Sequence, residues 1–474
     1  MEKHRGEWGS NFGFLMAAVG SAVGLGNIWG FPYKTGANGG FAFLLIYLIL
    51  VLVTGFAVML GELALGRKIG KGAVGTYKAL SKKYTWMGYM GVASGFFILA
   101  FYSVLGGFVL RYMVAFLLEM FAPGAGFAGA SSGDFFNAFV GNGAGSLVYH
   151  AIFMAINIVI VMGGISGGIE KFSKIAMPAL AIILVVVIIR SVTLPGADAG
   201  LAFLFSPNFE VFSPESGVGF FNVLRTAAGQ MFFSLSLGMG CMITYGSYLS
   251  KKENLESNAF IIPIADTIMA LMAALAVMPA VFAFGLEPGG GPGLLFVTMH
   301  EVFTNGMGGF IGCFFGFLFY FLVFIAAITS SISLLEVCCA YSIDKRIEQG
   351  KEPERKKMTV ILGIIVFIVG IPVCLDGLGS GNIIPATFWF GKWGFLDFYD
   401  LIAEGIFMPL GAMVMSIIIG WILKTKAVKA EVEESAGVKM KFYHFWDICF
   451  RFVVPVVMVI VLISQLMDFG VIPG

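Results

Sequence analysis

The chain of 474 residues is 58% hydrophobic and only 12% charged, about half the charged share of a soluble protein. Its formal net charge of +1 offers nothing to nucleic acid or to an acidic partner. A mean hydropathy of +0.92, with several apolar runs longer than the ~20 residues that cross a bilayer, excludes a soluble globular protein and predicts an all-α integral membrane protein whose partner is lipid.

Hydropathy predicts eleven apolar segments, at residues 11–36, 40–66, 87–121, 146–163, 168–190, 220–248, 257–285, 308–343, 357–375, 397–423 and 445–468. Residues 1–10 form a charged tail with no cleavable signal, and 11–190 hold a first set of five segments. An external loop (191–219) precedes a second set of five (220–423), a cytoplasmic loop (424–444) and an eleventh span (445–474). Twenty-three of the 29 lysines and arginines fall in the tail and in alternate loops. This predicts a cytoplasmic N-terminus in the cell (inner) membrane and an external C-terminus. The opposite loops are rich in Gly, Ala, Ser and Pro.

Segment 1 is interrupted midway by Gly20-Ser21-Ala22-Val23-Gly24-Leu25-Gly26-Asn27. In segment 2, Glu62 stands among apolar residues, where it could satisfy freed backbone amides. Segment 5 carries Gly168 and Pro178, both of which weaken a helix. Segment 6 is interrupted like segment 1, by Phe233-Ser234-Leu235-Ser236-Leu237-Gly238-Met239-Gly240. Either stretch alone is compatible with close packing of small residues. In corresponding positions of two five-segment halves, they predict an inverted repeat with a binding site at the bilayer midplane. A helix broken in lipid frees N–H groups that suit a carboxylate and carbonyls that suit Na⁺.

Segment 7 buries Asp266 and segment 8 buries Glu336, each costing at least ~2.5 kcal/mol at a helix centre and each a functional candidate. Segment 8 also carries Ala326-Ala327-Ile328-Thr329-Ser330-Ser331, whose hydroxyls either bond back to their own helix or offer oxygen to a hard cation. Six cysteines lie in apolar segments without ligand-like spacing, and the four histidines are far apart, so no disulfide framework or zinc site is expected. No nucleophile–base or metallo-hydrolase motif accompanies these acids, so no enzyme is expected.

The segments Gly20–Tyr33 and Gln230–Tyr248, with Thr329-Ser330-Ser331, resemble the signature stretches of the neurotransmitter:sodium symporters, most closely the bacterial amino acid transporters of LeuT type. The resemblance runs from Trp8 to about Trp421. Its eleven segments match the bacterial branch that carries hydrophobic and aromatic amino acids. It implies a 5+5 inverted repeat with segments 1 and 6 broken, Na⁺ as coupling ion and alternating access. One sodium site would use Ala22, Asn27, Ser234, Asp266 and the substrate carboxylate; the second would use Gly20, Val23, Ala326, Thr329 and Ser330. Substrate would meet Ser21, Ala22, Leu25, Gly26, Ile98, Tyr102, Phe233, Ser234, Ser236, Met239, Ser330 and Leu334. The inner gate would be Arg5, Trp8, Tyr248 and Asp344, and a Gly-x9-Pro stretch, Gly168 to Pro178, would let segment 5 unwind.

Asp266 stands at what looks like an asparagine position of chloride-dependent members, so transport is expected to be chloride-independent. Its protonation on the return step would allow proton antiport. Gly24 stands where monoamine transporters place an aspartate, which favours a substrate bringing its own carboxylate. Met239 is adaptable and fits a roomy pocket for a large side chain. The chain departs from the family at the outer gate: Asp400 is present, but Gly30 occupies the arginine position and Lys34 lies one turn on. A small neutral amino acid or a GABA- or taurine-like solute remains the alternative substrate.

Overall fold

The computed structural model describes residues 5–287, 291, 293–381, 383–385, 393–434 and 439–473. It is helical, with no strand among the described residues. Nine helices there are long and apolar enough to cross a membrane: Phe41–Ile69, Lys82–Phe121, Gly143–Met162, Ile165–Val192, Leu255–Ala283, Gly309–Glu348, Arg355–Leu375, Phe395–Ile422 and Tyr443–Asp468. A bent pair, Asn11–Ala22 and Gly26–Ala37, turned by 53°, makes a tenth crossing. Segment 6 is a second interrupted pair, Gly219–Ser234 and Cys241–Gly246, and the expected count of eleven depends on taking it as one crossing.

Segments 3 and 8, each 40 residues and so about 60 Å long, pack along one another and outreach a ~30 Å hydrocarbon core. The first helix of segment 1 lies against segments 5, 7 and 8, while segment 11 packs on segment 10 and on the first helix of segment 6.

The two breaks have local causes. In segment 1, Ser10 caps the helix start by accepting from the Gly13 amide, and the helix ends where Val23 turns extended (φ −76°, ψ 99°). In segment 6, Ser236, Gly238 and Gly240 adopt φ of 53°, 78° and 77°, a left-handed region that glycine enters freely and serine at a cost of ~1–2 kcal/mol. The Ser236 hydroxyl offsets part of that strain by donating to the Ser21 carbonyl at 2.9 Å. Glu62 does what its position suggested: its Oε1 accepts the freed Gly238 amide at 2.7 Å.

Segment 5 begins three residues earlier than expected, in a wide turn over Ile165–Glu170, and continues as an α-helix over Lys171–Val192 that includes Pro178. The Gly168–Pro178 stretch is thus wound here. The loop between segments 10 and 11 carries its own helix, Lys426–Glu433.

Candidate functional site

The two breaks face each other across a narrow central cavity of about 20 Å³. Its walls are Ser21, Ala22, Gly24 and Gly26 from segment 1, Ile98 and Tyr102 from segment 3, Phe233, Ser234, Ser236 and Met239 from segment 6, and Ser330 and Leu334 from segment 8. Every residue expected to meet substrate is there except Leu25. That side chain faces an outer cavity instead, because in the turn after Gly24 it is the amide that points inward: Leu25 N–H donates to the Tyr102 hydroxyl at 2.9 Å. Gly24 takes its place in the wall. A Cβ on Gly24 would stand 2.5 Å from Ser330 Oγ and 2.7 Å from the Tyr102 hydroxyl, so the wall admits no side chain without rearrangement.

On one side of the cavity, Asp266 is fully buried and accepts from Asn27 Nδ2 at 2.7 Å, Ser234 Oγ at 2.9 Å and the Tyr47 hydroxyl at 3.5 Å. Asn27 turns its own oxygen to the Gly24 amide at 3.0 Å. All the hydrogen-bond partners of the Asp266 carboxylate among the described residues are neutral. On the other side, Ser330 Oγ lies 3.3 Å from the Gly20 carbonyl and 3.2 Å from that of Val23. Thr329 Oγ1 is 3.0 Å from the Ala326 carbonyl. Two carbonyl oxygens thus flank the Ser330 hydroxyl, and Gly20 abuts Thr329 so closely that a Cβ would sit 3.1 Å from the Thr329 Cβ. Hydroxyls and carbonyls at such spacing are a hard-cation donor set.

Sequence reasoning gave no role to two residues beside these clusters, Ser333 and Gln230. Ser21 Oγ donates to Ser333 Oγ at 2.7 Å, and Ser333 in turn to the Ser330 carbonyl at 2.7 Å, giving the cavity floor a chain of hydroxyls. Gln230 donates to the Gly26 carbonyl at 2.9 Å and leaves its Oε1 buried and without a hydrogen-bond partner among the described residues. That oxygen lies 3.4 Å from where a Gly30 Cβ would be, so Gln230 fills part of the space vacated by the absent arginine.

At the inner end, Arg5 Nε lies 2.5 Å from Asp344 Oδ1, Arg5 Nη1 donates to the Gly70 carbonyl at 2.7 Å, and the guanidinium stacks 4.9 Å from the Tyr248 ring centroid. Trp8 Nε1 donates to the Tyr245 carbonyl at 3.0 Å. The Tyr248 hydroxyl donates to Glu336 Oε1 at 2.7 Å, and Glu336 is ion-paired with Arg355 at the start of segment 9. Glu336 therefore has its charge partner, which the sequence did not reveal. At the outer end, Gly30, Lys34, Asp397, Asp400 and Glu404 line a cavity of about 300 Å³ with Trp29, Phe101 and Phe233. Asp400 Oδ1 has no hydrogen-bond partner among the described residues, and Lys34 makes no ion pair with it within 4.0 Å.

A helical membrane protein in which two interrupted helices converge on a central cavity, closed at one end by ion pairs and aromatic rings, has the build of a small-solute transporter. Residues 5–123 and 140–472 match the family model described as "Sodium:neurotransmitter symporter family". The chain belongs to that family: it is a multi-pass, sodium-coupled membrane transporter and not an enzyme. It is 37% identical over 97% of its length to an uncharacterized sodium-dependent transporter of Bacillus subtilis (strain 168), covering 97% of it. A second such transporter, from Haemophilus influenzae, is 34% identical over 98% of this chain and 99% of its own. Among solved structures, the crystal structure of MhsT in complex with L-phenylalanine matches with a TM-score of 0.84 and 39% identity, over 98% of this chain and 100% of that one. The family carries the LeuT-type fold expected from the sequence.

Proposed function

We propose that the chain imports a neutral amino acid with a hydrophobic or aromatic side chain, together with Na⁺ and without chloride. The observation that carries this reading is Asp266, a fully buried carboxylate held only by neutral donors. An uncompensated charge in that position costs several kcal/mol. A sodium ion held by Asp266, Asn27, Ser234 and the Ala22 carbonyl supplies the missing positive charge, so no anion is needed. The Gly20, Val23 and Ala326 carbonyls with Thr329 and Ser330 would hold a second ion. The substrate carboxylate would lie at the Leu25 and Gly26 amides beside Tyr102, displacing the Tyr102–Leu25 hydrogen bond. Ile98, Phe233, Met239 and Leu334 would enclose the side chain, in line with the L-phenylalanine named for MhsT. Arg5, Trp8, Tyr248 and Asp344 would close the cytoplasmic side, with the N-terminus inside the cell.

Reconstituted protein should take up L-phenylalanine only down a sodium gradient, and equally well when chloride is replaced by gluconate. Loss of uptake in gluconate would overturn the role given to Asp266. A thermal-shift comparison of the twenty amino acids should rank L-phenylalanine and its large apolar relatives above glycine and alanine. The reverse ranking would favour the small-solute alternative.

A further inference from the structure

The inner end of segment 1 is held at a third place besides Arg5–Asp344 and Trp8–Tyr245. Glu170, at the start of segment 5, is 2% exposed. Its Oε2 accepts from the Gly9 amide at 2.6 Å, its Oε1 from the Ser10 hydroxyl at 3.0 Å, and Lys174 pairs with Oε1 at 2.5 Å. Ser10 is the residue that caps the first helix of segment 1, accepting from Gly13 N–H at 3.0 Å. The carboxylate therefore sits under the positive end of that helix, where negative charge is favourable. The fit is close: a Cβ on Gly13 would lie 2.0 Å from Glu170 Oε1.

Two turns further along segment 5, on the same face, Met177 reaches the other end of the same short helix. Its sulfur is 3.1 Å from where a Gly20 Cβ would be, beside the Gly20 carbonyl assigned above to the second sodium site. One stretch of segment 5 thus touches both ends of the cytoplasmic half of segment 1. That stretch lies between the two helix-weakening residues Gly168 and Pro178. We propose that Glu170 is a positioning residue that latches the cytoplasmic half of segment 1 shut. Met177 links the latch to the second sodium site, so that loss of sodium and release of the latch favour one another. The coupling rests on the reading of Gly20, Thr329 and Ser330 as sodium ligands; the latch itself rests on the Glu170 contacts.

The test uses the full-length protein in detergent with L-phenylalanine as probe. Glu170→Gln keeps the shape and replaces one acceptor by a donor facing Gly9 or Ser10. Hydrogen exchange of residues 9–22 should rise about tenfold, the equivalent of one charge-assisted hydrogen bond. The sodium concentration for half-maximal L-phenylalanine binding should rise with it, while saturating sodium restores full binding and so proves the variant folded. Ser10→Ala also removes the cap on Gly13, so it should raise exchange by itself. Combined with E170Q, the effect should be less than the product of the two single effects, because both remove the same Glu170–Ser10 contact; fully multiplicative effects would overturn the latch. Met177→Ala should raise the sodium requirement and leave exchange at residues 9–13 unchanged. If Thr329→Ala shifts sodium dependence and E170Q does not, the latch proposal fails alone. If T329A shifts nothing, the sodium-site reading fails and the coupling goes with it.

Discussion

Gly24→Ala adds one methyl group at the break of segment 1, where the backbone conformation tolerates alanine and only space is at issue. The new Cβ would lie 2.5 Å from Ser330 Oγ, 2.7 Å from the Tyr102 hydroxyl and 3.2 Å from Ser330 Cβ. Both hydroxyls would have to retreat by roughly 1 Å to regain ordinary contact near 3.5 Å. Neither has an easy direction: Ser330 is tied to the Gly20 and Val23 carbonyls and Tyr102 to the Leu25 amide. Overpacking of a filled site costs about 1–3 kcal/mol, which converts to roughly five- to 150-fold in affinity. Because Ser330 is assigned to sodium and Tyr102 to the substrate carboxylate, the loss should fall on both half-saturating concentrations. Equilibrium binding of labelled L-phenylalanine across a sodium titration measures both. Gly167→Ala, with nothing within 4 Å of its Cβ, should bind like the unaltered protein. If G24A kept both values while its thermal stability stayed intact, the central cavity would not be the binding site.

Asp266→Ala should abolish sodium-stimulated L-phenylalanine binding, with added chloride giving no rescue. It also strands the Asn27 amide and Ser234 hydroxyl at about 1–3 kcal/mol each, so Asp266→Asn should melt higher than D266A while still needing more sodium. Arg67→Met removes a wholly buried charge that lies 2.8 Å from Glu431. The loss should be about 3 kcal/mol, the low end for a broken buried pair, because Lys251 still holds Glu431 at 2.7 Å; R67M/E431L should recover much of the melting temperature. His300, in the loop between segments 7 and 8, is pushed down to about 4 by burial, against ~6.5 when unfolded. The unfolded chain therefore takes a proton that the native protein refuses, so stability should fall as pH drops from ~6.5 toward 4. H300Q should flatten the dependence of melting temperature on pH across that window. Glu301, held below the usual carboxylate range by hydrogen bonds from Ser132 and Asn305, adds its own loss only under about pH 4.5.

Much of the architecture was legible in the chain itself, because bilayer thickness leaves only apolar helices as spanning elements and local composition marks their interruptions. Gly24 and Gly26 announced one break and Gly238 and Gly240 the other. The expense of an acid in lipid singled out Asp266 and Glu336 before any partner was visible. The hydroxyls of Thr329 and Ser330 were read with two meanings: Thr329 takes the first, bonding back to Ala326 within its helix, while Ser330 reaches across to segment 1.

What the chain could not disclose were partners distant in sequence. Arg67 counted only as one more positive charge in a cytoplasmic loop, yet it is buried against Glu431, 364 residues away. Arg355 belonged to the same tally and neutralises Glu336. Gln230 stood at the edge of a signature stretch with no role attached, and its position beside Gly30 emerges only when segments 1 and 6 are packed together. Which atom of Leu25 faces the cavity was likewise decided by the turn after Gly24, not by residue type. Hydropathy and helix breaking act within a few residues and can be read along the chain. Charge pairing, cavity lining and the contact of Glu170 with Ser10 depend on how helices cross, and packing of the whole bundle sets that.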